Sequence, residues 1–201
     1  MDINKDYILG ENSFFDKKFK KKQIIIGNTF NTNMDHFDVW KQKISGKYKK
    51  TATYTVTLDG KICEHFDPAY YSNFLNCGEF DKKIISIVLE NEGWLIKDFE
   101  LDNFVNWSGD VYNRSDALHK QSWRGKNNWA PYSDKQINSL VSLCNYLIDN
   151  FDIERYVSPD NIKIKYFTKK NGIYYRSNYS KNMLDVSPAF NIDYFKSKIE
   201  K

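Results

Sequence analysis

Apolar and polar positions change period several times along the chain, and each change marks an element. Residues 17–22 carry Lys17, Lys18, Lys20, Lys21 and Lys22 around Phe19 and run straight into Gln23-Ile24-Ile25-Ile26. A short continuous β-branched run predicts a buried strand, with the lysines as its solvated lead-in. Gly27-Asn28-Thr29 breaks the run as a loop does. From Asp35 to Ile44, Phe37, Trp40 and Ile44 recur at helical spacing and predict a short amphipathic helix. Thr51 to Leu58 alternates as a strand does. Asp59-Gly60 and a second run, Lys61 to Phe66, complete a hairpin signal. Lys83 to Asn91, KIISIVLEN, is the most apolar strand candidate and is expected at the centre of the sheet.

The pattern dissolves between Glu92 and Tyr132, where Trp94, Trp107, Trp123 and Trp129 are spaced by Gly and Asn. This stretch reads as a long ordered loop with one short helix. Ser133 to Phe151 is the clearest helix. Ser133 and Gln136 predict a capping box, each side chain bonding the other's backbone N–H. Ile137, Leu140, Val141, Cys144, Leu147, Ile148 and Phe151 form one apolar face. Ile162 to Phe167 and Ile173 to Arg176 flank a hairpin-like break at residues 169–172, and Asp193 to Ile199 reads as a C-terminal helix. Strands alternating with helices, with hairpins among them, predict a single α/β domain: a central mixed β-sheet flanked by helices. Residues 1–19 form an N-terminal extension and 20–201 the domain, with 92–132 as an aromatic loop insertion.

Composition narrows the function classes. Of 201 residues, 41% are hydrophobic and 16% aromatic, which excludes a disordered, solvating chain. Thirty basic against 26 acidic residues leave a net charge of +4, too small an excess to argue for nucleic acid. No apolar run approaches the roughly 18 residues of a membrane span. The first residues, MDINKDYILGENSFF, contain no apolar signal core, so synthesis in the cytoplasm is expected. Cys63, Cys77 and Cys144 form no CxxC pair and are expected to be reduced thiols. Neither nucleic acid nor membrane is expected as a partner.

Candidate chemistry is sparse. There is no G-x-S-x-G, no phosphate loop and no dinucleotide turn. Cys144 lies on an apolar helix face, where a thiol is inert. His36, His65 and His119 lack the spacing of a ligand set and are expected to be structural. Trp107, Trp123, Arg124 and Trp129 could form an aromatic surface for a sugar or a protein partner, against the simpler alternative that these rings dock the loop.

The order of parts resembles one family. A buried strand ends at Gly27-Asn28-Thr29, an Asp-Gly hairpin follows, and Ser86–Glu90 closes a central strand on a carboxylate. A capped helix comes next, and the chain finishes with Arg176 and, nine residues on, Asp185…Ser187-Pro188-Ala189-Phe190. This resembles the zinc-dependent N-acetylmuramoyl-L-alanine amidases, the family of phage lysozyme-type amidases and peptidoglycan recognition proteins, over about residues 20–200. The resemblance implies three zinc ligands: a His after the first strand, a late His, and an Asp or Cys beyond it. Three protein ligands leave a fourth position for water, whose pKa the metal lowers to about 7.

The sequence departs from that pattern at two of the three positions. Gly27 stands at the first ligand position and Arg176 at the second; only Asp185 matches. Glycine offers no side-chain donor, and a guanidinium, protonated to about pH 12, repels a cation. The resemblance therefore implies an amidase fold without its zinc, more inactive than active, with no cofactor. Its ligand would be peptidoglycan, a muramyl peptide, or a protein partner. Asn28, Thr29, Tyr54, Glu90, Arg176 and Asp185 are the expected ligand-binding residues, and Glu90 and Asp185 the catalytic pair of any surviving hydrolase. A virion-associated, phage-encoded role also follows from the resemblance. Two alternatives stand beside it: an active cell-wall amidase with a different site, and an interaction protein using the Trp-rich segment.

Overall fold

A computed structural model describes residues 1–42, 49–114, 117–164 and 170–201. In chain order the elements are β1 (Gln23–Asn28), α1 (Asp35–Gln42), β2 (Tyr54–Val56), β3 (Ile62–Glu64), β4 (Ile84–Leu89), β5 (Trp94–Asp98), β6 (Asn103–Val105), β7 (His119–Trp123), β8 (Lys126–Trp129), α2 (Asp134–Phe151), β9 (Gly172–Tyr175), α3 (Arg176–Tyr179) and α4 (Ile192–Ile199). The expected helix end at Ile44 and half of the strand expected at 162–167 fall outside the described residues, and residues 162–164 form no strand.

Five strands form a mixed sheet in the order β3-β2-β4-β1-β9. β1 runs parallel to both β4 and β9, and β2 runs parallel to β4 and antiparallel to β3. Every residue of β1 and of β4 is buried, because helices or loops cover both faces of a parallel sheet core. Alternation divides these strands. Ile24, Ile26, Tyr54, Val56, Ile85 and Ile87 pack on one face with Leu140, Leu143, Cys144 and Leu147 of α2 and Phe195 of α4. Ile25, Val88 and Tyr174 pack on the other with Phe74 and Tyr179.

α2 begins as its sequence predicts, with the Ser133 hydroxyl accepting the Gln136 N–H at 3.1 Å. The reciprocal half of the box is not made. The Gln136 amide instead donates to the carbonyls of Val56 and Glu90, at 2.8 and 2.9 Å. This tertiary use of the side chain ties α2 to the C-terminal ends of β2 and β4.

The 92–132 segment is not a loop. It folds as a second, four-stranded antiparallel sheet, β6-β5-β8-β7. Its strands are short and mostly half-exposed, so they lack the apolar alternation that would reveal them. The N-terminal extension is also ordered. Asn4 bridges Cys63 on the outer edge of β3, and the Leu9 N–H donates to the His65 carbonyl. This covers an edge that would otherwise stay unpaired. Within the lysine run, Lys17, Lys18, Lys20 and Lys22 are exposed but Lys21 is buried. Its ammonium donates to the carbonyls of Tyr70 and Lys82, and burial lowers its pKa to about 7. Among the described residues, no helix is long and apolar enough to cross a membrane.

Candidate functional site

Four parallel strands deliver their C-terminal ends to one rim of the main sheet. Asn28 closes β1, Leu58 lies just beyond β2, Glu90 follows β4, and Arg176 follows β9. Ligands of open α/β sheets collect outside such ends. Three remote segments meet here. Arg176 Nε donates to Asp185 Oδ2 at 2.7 Å, and Arg176 Nη2 to the Asn28 carbonyl at 3.2 Å. The Asn28 N–H donates to the same Asp185 Oδ2 at 2.9 Å. Gly27 makes this possible. A Cβ at that position would lie 2.5 Å from Asp185 Oδ2 and 3.2 Å from Arg176 Nε. The carboxylate thus occupies the volume that any other residue's side chain would enter.

The pair is enclosed. The Asp185 side chain is wholly buried and that of Arg176 keeps 16% of its surface exposed. Phe74 and Phe30 lie 5.2 and 6.0 Å from the guanidinium carbon. Phe30 is held in turn: Gly93 leaves room for its ring, Trp94 meets it edge-on at 5.8 Å, and Trp107 Nε1 donates to its carbonyl at 2.7 Å. Burial raises the Asp185 pKa from its ordinary value, and the Arg176 guanidinium and Asn28 N–H oppose that shift without cancelling it. Asp185 Oδ1 is buried and accepts from none of the described residues. Behind it, the Tyr132 hydroxyl bridges the Asn28 amide and the Ser187 N–H, and burial pushes its pKa up to about 12.

The sequence-predicted residues divide. Asn28, Arg176 and Asp185 converge. Thr29 adjoins them along the chain, but its hydroxyl is engaged with Asn31 in its own loop and with the Asn91 N–H beyond β4. Glu90 accepts the Met34 N–H on one oxygen and the Leu58 N–H on the other, both at 3.0 Å. It lines a separate cavity of about 490 Å³ with Tyr7, Asp59 and Lys61. Tyr54 does not join the group. It points into the opposite face of the sheet, packs against α2, and donates to Glu64 at 2.9 Å.

The aromatic group also separates. Trp129 is buried, Trp107 is 52% exposed, and Trp123 lies under the Arg124 guanidinium at 4.5 Å. Arg124 fills a role the sequence does not announce. From the β7–β8 turn it donates to the carbonyls of Asn161, Ser177, Ser180 and Met183, which fastens the second sheet over the segment that carries Asp185.

The histidines form a different structure. Tyr7 O can only accept, so His65 Nδ1 carries the proton of their 2.9 Å bond. His65 Nε2 then accepts from the Thr55 hydroxyl at 2.8 Å, and Thr55 accepts from His36 Nε2 at 2.8 Å. Both rings are neutral, and burial lowers their pKa values to about 3 for His36 and about 4 for His65. His119 stands apart on β7, bonded to Gln121.

Comparison with known proteins gives this arrangement its context. Residues 18–171 match the family described as N-acetylmuramoyl-L-alanine amidase. The chain belongs to this family. Its fold is similar to that of the catalytic domain of XlyA, at 16% identity and a TM-score of 0.55, covering 99% of each chain. PlyL is similar at 12% identity and a TM-score of 0.54, covering 100% of this chain and 98% of that one. The amidase AmiD from E. coli, solved with anhydro-N-acetylmuramic acid-L-Ala-D-gamma-Glu-L-Lys, is 16% identical with a TM-score of 0.54. That match covers 92% of this chain, which spans only 59% of the AmiD chain. No curated protein matches the sequence.

The amidase family's zinc does not fit the residues gathered here. Gly27 offers no donor atom, Arg176 brings a cation, and Asp185 already accepts from two N–H groups on one oxygen. Among the described residues no cluster of three His, Cys, Asp or Glu could hold a metal ion.

Proposed function

We propose that this amidase-family domain binds peptidoglycan without cleaving it. The observation that carries the reading is the Gly27–Asp185–Arg176 contact: a guanidinium–carboxylate pair fills the place that the family resemblance gives to two imidazoles and a metal. Asp185 is too deeply buried, and its Oδ2 too fully engaged, to serve as a base toward an incoming water. Arg176 Nη1 bonds to none of the described residues and is free to meet a carboxylate or carbonyl of a muramyl peptide. Asn28 and Tyr132 fix the floor beneath it. The muramyl peptide held by AmiD and the endolysins among the structural neighbours support this ligand class. A phage-encoded, virion-associated role belongs to the same proposal.

The test combines metal analysis of purified protein, sedimentation with purified cell-wall sacculi, and a peptide-release assay. Retention on sacculi, no released stem peptide with or without added zinc, and an unchanged melting temperature in chelator are expected. Stoichiometric zinc with chelator-sensitive release would overturn the non-catalytic reading. Failure to sediment with sacculi would overturn the binding reading.

A further inference from the structure

A second groove, of about 510 Å³, lies between the outer strand of the second sheet and the segment leading into α4. It is distinct from the Gly27–Arg176–Asp185 contact. His119, Gln121 and Trp123 line one wall from alternate positions of β7, and Asp160, Asn161 and Asp193 stand among the residues opposite. A register irregularity between Lys120 and Trp123 interrupts strict alternation, and all three residues still line the groove, so one strand presents an imidazole, an amide and an indole together. The indole is immobilised, because the Arg124 guanidinium covering one side of it is anchored by four carbonyls. Polar capacity is left over. Asn161 spends its N–H₂ on the Val186 carbonyl and keeps its oxygen. Gln121 meets His119 through Oε1 and keeps its N–H₂. The Asp193 carboxylate bonds to none of the described residues.

The chemistry of this lining selects a ligand class. It contains two carboxylates and no lysine or arginine, which disfavours phosphates and carboxylates. Half of the lining residues are polar and half apolar, an amphipathic mix that disfavours a wholly apolar peptide. A pyranose ring matches it: a flat C–H face for the indole, and hydroxyls that donate to carboxylates and accept from amides. The volume lies within the range of small-ligand sites. We infer that the groove lined by Trp123, Gln121 and Asp193 is a binding site for uncharged saccharide, independent of the Arg176–Asp185 site.

The test titrates the full chain with a neutral N-acetylglucosamine tetramer and, in parallel, a glucose tetramer, following the indole N–H resonances by NMR. Saturable movement of the Trp123 resonance is expected with at least one of them. Trp123→Ala should weaken binding at least tenfold, whereas Phe99→Ala, which removes an exposed ring at the β5–β6 turn, should leave it unchanged. Gln121→Ala, at an exposed position, gives a second reading if Trp123→Ala fails to fold, and should weaken binding severalfold. Absence of saturable shifts with both tetramers would overturn the inference. So would wild-type affinity in the folded variants, or saturation by an extended tetra-alanine peptide instead.

Discussion

Replacing Arg176 by Met removes the positive half of an enclosed ion pair and leaves most of the side-chain volume. Asp185 would keep the Asn28 N–H on Oδ2 but lose its charged donor, with Oδ1 already unsatisfied. Stranding one partner of a buried pair costs about 3–5 kcal/mol. Arg176 retains 16% of its side-chain surface, and a stranded carboxyl can escape by taking a proton, so the expected loss at pH 7 is about 2–4 kcal/mol. For a chain of this size that lowers the melting temperature by about 5–15 °C. The pH dependence identifies the cause. Burial already raises the Asp185 pKa, and loss of the guanidinium raises it further. A carboxyl whose pKa is higher folded than unfolded costs stability as pH rises through its folded pKa, and nothing once both states are protonated. The deficit of Arg176→Met should therefore shrink toward about pH 4. Urea unfolding of wild type and variant at pH 7 and pH 4 measures this directly. Arg176→Met/Asp185→Leu, which removes both charges, should recover most of the loss. A deficit below about 1 kcal/mol at pH 7, or one equal at both pH values, would refute the reasoning.

Three further outcomes follow from described contacts. Gly27→Ala places a methyl group 2.5 Å from Asp185 Oδ2 and should cost about 1–3 kcal/mol by thermal melting, with no comparable loss for Gly10→Ala, whose Cβ meets nothing. His36 and His65 are held neutral with lowered pKa values. The unfolded chain therefore binds more protons, and stability should fall as pH drops from about 6.5 toward 4. Potentiometric unfolding at pH 5 should show uptake of about two protons from this pair, and about one in His65→Gln. Arg124→Ala frees four carbonyls and should speed amide hydrogen exchange at residues 177–187 while leaving β1 and β4 protected.

The main sheet was legible because its strands are buried on both faces and therefore write apolar runs into the chain. Gln23–Asn28 and Ile84–Leu89 appear where those runs stand, and the Asp-Gly hairpin pairs as its turn demands. The second sheet was not legible. His119-Lys120-Gln121-Ser122-Trp123 is paired on one side and wet on much of its surface, so nothing forces alternation upon it. The site was half legible. Asn28, Arg176 and Asp185 follow from family order and meet in space, while Tyr54 lies apart from them, packed on the α2 face, because strand parity decides which face a residue serves. Phe30, Phe74 and Arg124 acquire their roles only through contacts with distant residues, and no local spacing encodes those.

The oxygen lodged against Gly27 also makes the arrangement hard to alter one residue at a time. A histidine introduced first at position 27 collides with the carboxylate, and a histidine introduced first at 176 strands it. Each single substitution at these positions passes through a less stable protein, so only a simultaneous exchange avoids the descent. The contact works as a ratchet on these three positions, each held in place by the other two.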